Sequence, residues 1–173
     1  MKGVFHCLQA GVKKMLADGK GGAIVNLASI ASLIGLADLP VRQITVNPSN
    51  DNLLFAGISG GPSNGVWKLY DNSSSWEVTR KKADVDVLNV EALDYQTYFA
   101  ATTSGLYKSA DQGVTWSKLT LPESSSSDKF WGVHCDGWKV YASQYGDNAN
   151  IFRSANKGGS WTTITRELDN PQA

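Results

Sequence analysis

Asp84 and Asp86 are the first residues whose spacing suggests chemistry. Alternation along a strand would put both on one face, and two carboxylates about 5–10 Å apart are what glycosidic cleavage needs. They follow Arg80-Lys81-Lys82, however, in what reads as a connection between repeat units, so a solvated charged turn is the expected role. His134 beside Cys135 has no serine or second cysteine at motif spacing, as His6 has none, so strand packing is the expected role. Cys7 and Cys135 lie far apart and show neither metal-ligand spacing nor a disulfide framework, and both read as reduced, packed thiols. Arg80, Arg153 and Arg166 fall at dissimilar places and form no cluster. Trp131 and Trp138 would stack on a sugar if exposed, but packing in the core or between repeat units is expected. No catalytic set, metal site or cofactor site emerges from these residues.

The chain that must position them has 173 residues, enough for one sizeable core or two small ones. Sixteen basic side chains balance sixteen acidic ones, so no charge field exists to hold a phosphate backbone, and nucleic acid is excluded as an expected partner. With 42% hydrophobic residues the sequence is too apolar for wholesale disorder. It lacks an unbroken apolar span of about 18 residues, so a membrane is not expected either. The apolar stretch from Gly3 to Val12 meets Lys13-Lys14 without a cleavage site and does not read as a signal peptide, which leaves the cytoplasm as the default expectation.

Two unlike parts follow from composition, residues 1–41 and residues 42–173. All six Trp and all six Tyr lie beyond position 66. In the first part Val4, Leu8, Val12 and Met15 recur near helical spacing and Asp18-Gly19 supplies a stop. The run Ala23-Ile24-Val25-Asn26-Leu27-Ala28 then reads as a strand buried on both faces, which predicts a helix–strand arm lacking the neighbours such a strand needs.

Lys2-Gly3-Val4-Phe5, Gly22 through Ser29, and Gly35-Leu36 resemble the middle of a short-chain dehydrogenase/reductase over about forty residues. The resemblance implies that Ser29 stands at the serine position that orients a substrate carbonyl. The tyrosine and lysine that complete the family's catalytic set would fall at Arg42 and Val46 and are absent. The Gly-rich dinucleotide turn, upstream of this stretch in the family, has no counterpart here. Ser29 is therefore expected to be vestigial and oxidoreductase activity is not expected.

From residue 43 to 168 the dominant signal is an internal repeat. Trp67, Tyr107 and Phe152 each precede a tryptophan, Trp76, Trp116 and Trp161, by nine residues. The closing tryptophans are 40 and 45 residues apart, close to the period of a four-stranded propeller blade. Asp71, Asp111 and Asn156 occupy the turn position where a short polar side chain accepts N–H bonds from its own turn. Gly113 and Gly158 follow two places later, while Ser73 makes the first copy the weakest. Runs ending in Leu54-Phe55-Ala56, Tyr98-Phe99-Ala100 and Val140-Tyr141-Ala142 supply second strands. The fold expected is mainly β, three four-stranded antiparallel blades preceded by the helix–strand arm.

These hairpins resemble Asp-boxes. Ser109, Asp111, Gly113, Thr115 and Trp116 match the pattern throughout, and Ser154, Asn156, Gly158, Ser160 and Trp161 match with asparagine for aspartate. The resemblance extends to the propellers of sialidases, xyloglucan-cleaving glycosidases, sortilin-type receptors and photosystem assembly factors. It implies a structural role for the box and says little about ligand. The polar loops Ser59–Asn64 and Tyr145–Ala149 are expected to protrude as binding segments, and the serine run 124–127 to be a flexible linker. The function expected is a non-catalytic binding or assembly module for an unknown protein or glycan. A fortuitous fusion without evolved function and a fragment of a glycoside hydrolase are the alternatives. Three blades leave two open flanks, so a head-to-tail homodimer completing six blades is a further expectation.

Overall fold

The computed structural model describes residues 41–71, 76–125, 128–146 and 149–165. Residues 1–40 of the expected arm, Ser29 among them, lie outside the described residues, and Val41, its last residue, opens the first strand instead. Twelve strands form three antiparallel four-stranded sheets, each a meander in chain order. The first holds β1 (Val41–Asn47), β2 (Asn50–Ile58), β3 (Gly65–Asp71) and β4 (Trp76–Ala83). The second holds β5 (Val87–Ala92), β6 (Tyr98–Thr102), β7 (Gly105–Ser109) and β8 (Ser117–Lys118). The third holds β9 (Lys129–Asp136), β10 (Lys139–Tyr145), β11 (Ile151–Ser154) and β12 (Thr162–Thr163).

Successive side chains of a strand point to opposite faces, so a strand sandwiched between two sheets must be apolar on both. β6 obeys this rule, with all five residues buried. Tyr98 and Ala100 pack with Phe55 and Val66 of the first sheet, while Phe99 and Ala101 pack with Phe130, Val140 and Phe152 of the third. At about 1.5–3 kcal/mol for each large apolar side chain withdrawn from water, these two inter-sheet layers supply most of the driving force for packing.

Side chains also replace the backbone ladder that the separate sheets do not share. Thr45 Oγ1 of β1 accepts the Ala92 N–H of β5 at 3.3 Å, and Asn89 Oδ1 of β5 accepts the Val133 N–H of β9 at 2.8 Å. The Glu91 carboxylate accepts the Cys135 N–H. The first strands of the three sheets are thereby laced side by side.

Asp84 and Asp86 lie in the connection between β4, which runs through Arg80 to Ala83, and β5, which starts at Val87. One further sequence expectation needs correction. Ser124 and Ser125 are built turns: Ser124 Oγ donates to the Leu121 carbonyl at 2.7 Å, and Ser125 Oγ donates to Asp128 at 2.7 Å. Leu121, 3% exposed, anchors that segment in the core.

Candidate functional site

The pairing register gives the molecule two ends. Asp71, Ser109 and Ser154 stop β3, β7 and β11 at one end, where the hairpins into the fourth strands lie. The starts of β1, β5 and β9 sit at the other, because Val41, Val87 and Lys129 pair with Ile58, Thr102 and Tyr145, the last residues of the second strands.

At the hairpin end the predicted residues come together as internal scaffolding. Ser109 Oγ accepts the Gly113 N–H and donates to Asp111 Oδ1, both at 2.8 Å. Asp111 then accepts from the Thr115 N–H at 2.8 Å and from Thr115 Oγ1 at 2.6 Å. Those Thr115 bonds, with the one from Ser109, stabilise the anion and hold the Asp111 carboxyl at about 2. In the third sheet Ser154 repeats the bond to Gly158, and Asn156 Oδ1 accepts the Ser160 N–H at 2.8 Å. The amide Nδ2 of Asn156 donates to Ser160 Oγ at 3.0 Å, so the hydroxyl changes from donor to acceptor when asparagine stands for aspartate.

Gly113 and Gly158 sit at φ 76° and 75°, and a Cβ there would come within 2.5 Å of the Phe55 ring and 2.7 Å of the Phe99 ring. Each hairpin is thus clamped on the preceding sheet. The Trp116 Nε1–H donates to the Gly113 carbonyl at 3.0 Å, whereas Trp161 packs edge-on against Phe99 and its buried Nε1 finds no acceptor among the described residues. Asp71 pairs with Trp76 across β3 and β4; residues 72–75, Ser73 among them, lie outside the described residues.

The opposite end is built differently. Each first strand carries a β-bulge at the same place, after Val41, after Val87 and after Phe130, so that Arg42, Leu88 and Trp131 have no partner position on the second strand. A bulge interrupts the alternation of the pleat and re-aims the side chain beside it. These three residues, with Gln43, Asn89 and Gly132 immediately after them, line a groove of about 410 Å³.

Trp131 is 61% exposed and Tyr145 59%, and the two rings stack at 5.4 Å with 28° between their planes. The packed role expected for Trp131 and Trp138 is therefore corrected: Trp138 is 63% exposed and stands in the β9–β10 turn at the hairpin end.

Loop 59–64 does not protrude freely. Ser59 is buried and its Oγ accepts from Arg42 Nε at 2.6 Å; Asp86 Oδ1 accepts from the Gly60 N–H at 2.6 Å and from Asn64 Nδ2 at 3.1 Å. The Gly60 bond, then Asn64 and the Arg42 charge, hold the Asp86 carboxyl below its ordinary value despite partial burial. Asp86 is a fastener for this loop.

His134 lies between the two ends, its Nδ1 3.4 Å from Glu91. Burial pushes the Glu91 carboxyl up, against the pull of His134 and of the Cys135 N–H. Burial, with the charges of Glu91 and Asp94, pushes the Cys135 thiol up to about 12, which makes it an inert packed thiol. Among the described residues no cluster of His, Cys, Asp and Glu has the arrangement of a metal site.

No protein-family model matches the chain, and no curated protein matches it. Solved structures do. An ancestral GH74 enzyme superposes with a TM-score of 0.58 at 19% identity, over 75% of this chain and 20% of that one. The GH74 enzyme of Niastella koreensis gives 0.57 at 22% identity, over 70% and 21%. A structure of YCF48 bound to D1 peptide gives 0.56 at 16% identity, over 73% and 40%. These neighbours are β-propeller proteins, and the likeness shows a mainly β, propeller-type fold. The chain spans about a fifth of the length of the GH74 enzymes and two fifths of that of YCF48.

Proposed function

We propose that residues 41–165 are three blades of an Asp-box β-propeller, and that they form a non-catalytic binding module whose ligand surface is the bulged groove at the end opposite the hairpins. One observation carries the reading. Three bulges in matched register turn Arg42, Leu88 and Trp131 into a single groove, where a regular pleat would have left them to alternate with their neighbours. The groove offers one guanidinium, two amides and an aromatic platform, and its six lining residues include no carboxylate. Such a lining suits recognition by stacking and hydrogen bonding on a rigid scaffold.

A glycoside-hydrolase segment is the second reading, favoured by the likeness to GH74 enzymes and by the exposed Trp131–Tyr145 stack, on which a sugar ring would sit. Incubating the purified chain with xyloglucan and other β-glucans separates the two readings. The binding module retains substrate without producing reducing ends, and release of reducing ends contradicts it. Nicotinamide chemistry is not part of the proposal: Arg42 is committed to Ser59 and the groove, and Val46 stands where the reductase lysine would be. Saturable binding of NADH at micromolar concentration, read by fluorescence, would contradict that exclusion.

A further inference from the structure

Each sheet turns one face back towards the sheet that precedes it. In the second sheet Tyr98, Ala100 and Ser109 stand on that backward face, and in the third Val140, Ala142 and Ser154, at matched places because Tyr98 pairs with Ser109 and Val140 with Ser154. All six are buried, and the apolar four pack on the preceding sheet. In the first sheet the matched places belong to Leu54, Ala56 and Leu69, with Leu54 paired to Leu69 in the same register. Among the described residues no sheet precedes the first, yet these three are 9%, 0% and 1% exposed in the single chain.

Neighbours within one sheet do not achieve such burial. Side chains stand roughly perpendicular to a sheet, so those of one face shield each other's flanks and leave the tips open. The forward face of the third sheet shows the result, since no described sheet follows it and Tyr141 and Ile151 are partly exposed there, with Arg153 and His134 exposed. The backward face of the first sheet also differs in chemistry from its two counterparts. Leu69 stands where Ser109 and Ser154 stand, and Val41, Ile44 and Trp67 pack around it, so the face suits an apolar occupant.

Few segments outside the described residues have that character. Residues 72–75 and 126–127 are asparagine and serine, 147–148 are aspartate and asparagine, and 166–173 carry three charged side chains with Leu168 as their one large apolar group. Residues 21–37 carry no charge and include Ile24, Leu27, Ile30, Leu33 and Ile34. Leu36 lies five residues before Val41, which itself borders the face, so at most about 17 Å of extended chain separates them. We propose that residues 23–36 lie on the backward face of the first sheet, in the place that a preceding sheet takes on the second and third, and bar that face to a second copy of the chain. A head-to-tail dimer needs the same face, so this intramolecular cap and the dimer exclude each other.

The test keeps the full chain, places charge in the segment with Ile24→Asp and Leu27→Asp together, and reads hydroxyl-radical labelling of Leu54 and Leu69. In the parent chain both are expected to be labelled as little as Phe99 and Leu106. In the double variant both are expected to rise to the level of Ile151 while Phe99 and Leu106 stay protected. Protection of Leu54 and Leu69 that survives the double substitution overturns the proposal, as does labelling of either in the parent chain. If Phe99 and Leu106 lose protection as well, a cross-link decides: benzoylphenylalanine replaces Trp67, at the border of the face, in an otherwise parent chain and is irradiated. Cross-links to residues 23–36 of the same molecule are expected. Cross-links to residues 166–173, cross-links confined to the first sheet, cross-links that join two chains, or none at all overturn the proposal.

Discussion

The two ends of the sheets are made from the same strands and put to opposite uses. At the hairpin end polar side chains are spent on one another: Ser109 on Gly113 and Asp111, Asp111 on Thr115, and the glycines are pressed against the rings of the preceding sheet. At the bulge end the side chains that leave the pleat, Arg42, Leu88 and Trp131, open a groove, and the bonds there fasten loop 59–64 from behind. The contrast teaches that an in-register turn gives a repeat its rigidity, and an in-register bulge gives it a surface free to vary.

The largest effect that should separate the ends comes from two glycines of nearly equal backbone. Gly113 and Gly61 have φ of 76° and 74°, but an added Cβ meets Phe55 at 2.5 Å at the first and nothing within 4 Å at the second. Gly113→Ala is expected to cost about 2–4 kcal/mol, combining left-handed strain with overpacking, and Gly61→Ala about 1–2 kcal/mol from strain alone. Urea unfolding of the two variants checks this, and equal losses would break the comparison. Ser109→Ala comes next: Ser109 is 1% exposed, and losing its hydroxyl leaves the Gly113 N–H without its acceptor, a loss of about 1–3 kcal/mol.

Acid should act on the second hairpin and spare the third. The Asp111 carboxyl is lowered from 3.8 to about 2, so the stability it contributes is complete above about pH 4 and lost as pH falls through the folded value. Asn156 has no such titration. The urea midpoint of Asp111→Asn is therefore expected to fall less between pH 4 and pH 2 than that of the parent chain, with Asp86 and Asp128, also lowered, contributing equally to both. The smallest effect concerns the closing tryptophans. Trp116→Phe loses the bond to the Gly113 carbonyl and Trp161→Phe loses none described, so the first should cost more by about 1 kcal/mol in the same urea measurement.

The hairpin end was legible in the sequence because its chemistry is local. Ser109, Asp111, Gly113 and Thr115 bond within four residues of one another, so spacing alone exposes the motif. The groove end was not, because its parts are brought together by strand pairing. Asp86 fastens Gly60 across 26 positions, and the groove collects residues from β1, β5 and β9. A bulge leaves no mark on composition. A single extra residue in β9 sends Trp131 outward, where an unbroken alternation would have buried it, and only the register between Gly132–Ser143 and Phe130–Gln144 reveals it.

Trp131 and Trp138 make the central claim testable in one measurement, since they are equally exposed, at 61% and 63%, and stand at opposite ends. A printed array of glycans and peptides is probed with the parent chain, with Trp131→Ala and with Trp138→Ala. A binding surface at the bulged groove predicts that ligands retained by the parent are lost with Trp131→Ala and kept with Trp138→Ala. Ligands that survive Trp131→Ala and vanish with Trp138→Ala would place the surface at the hairpin end and contradict the account.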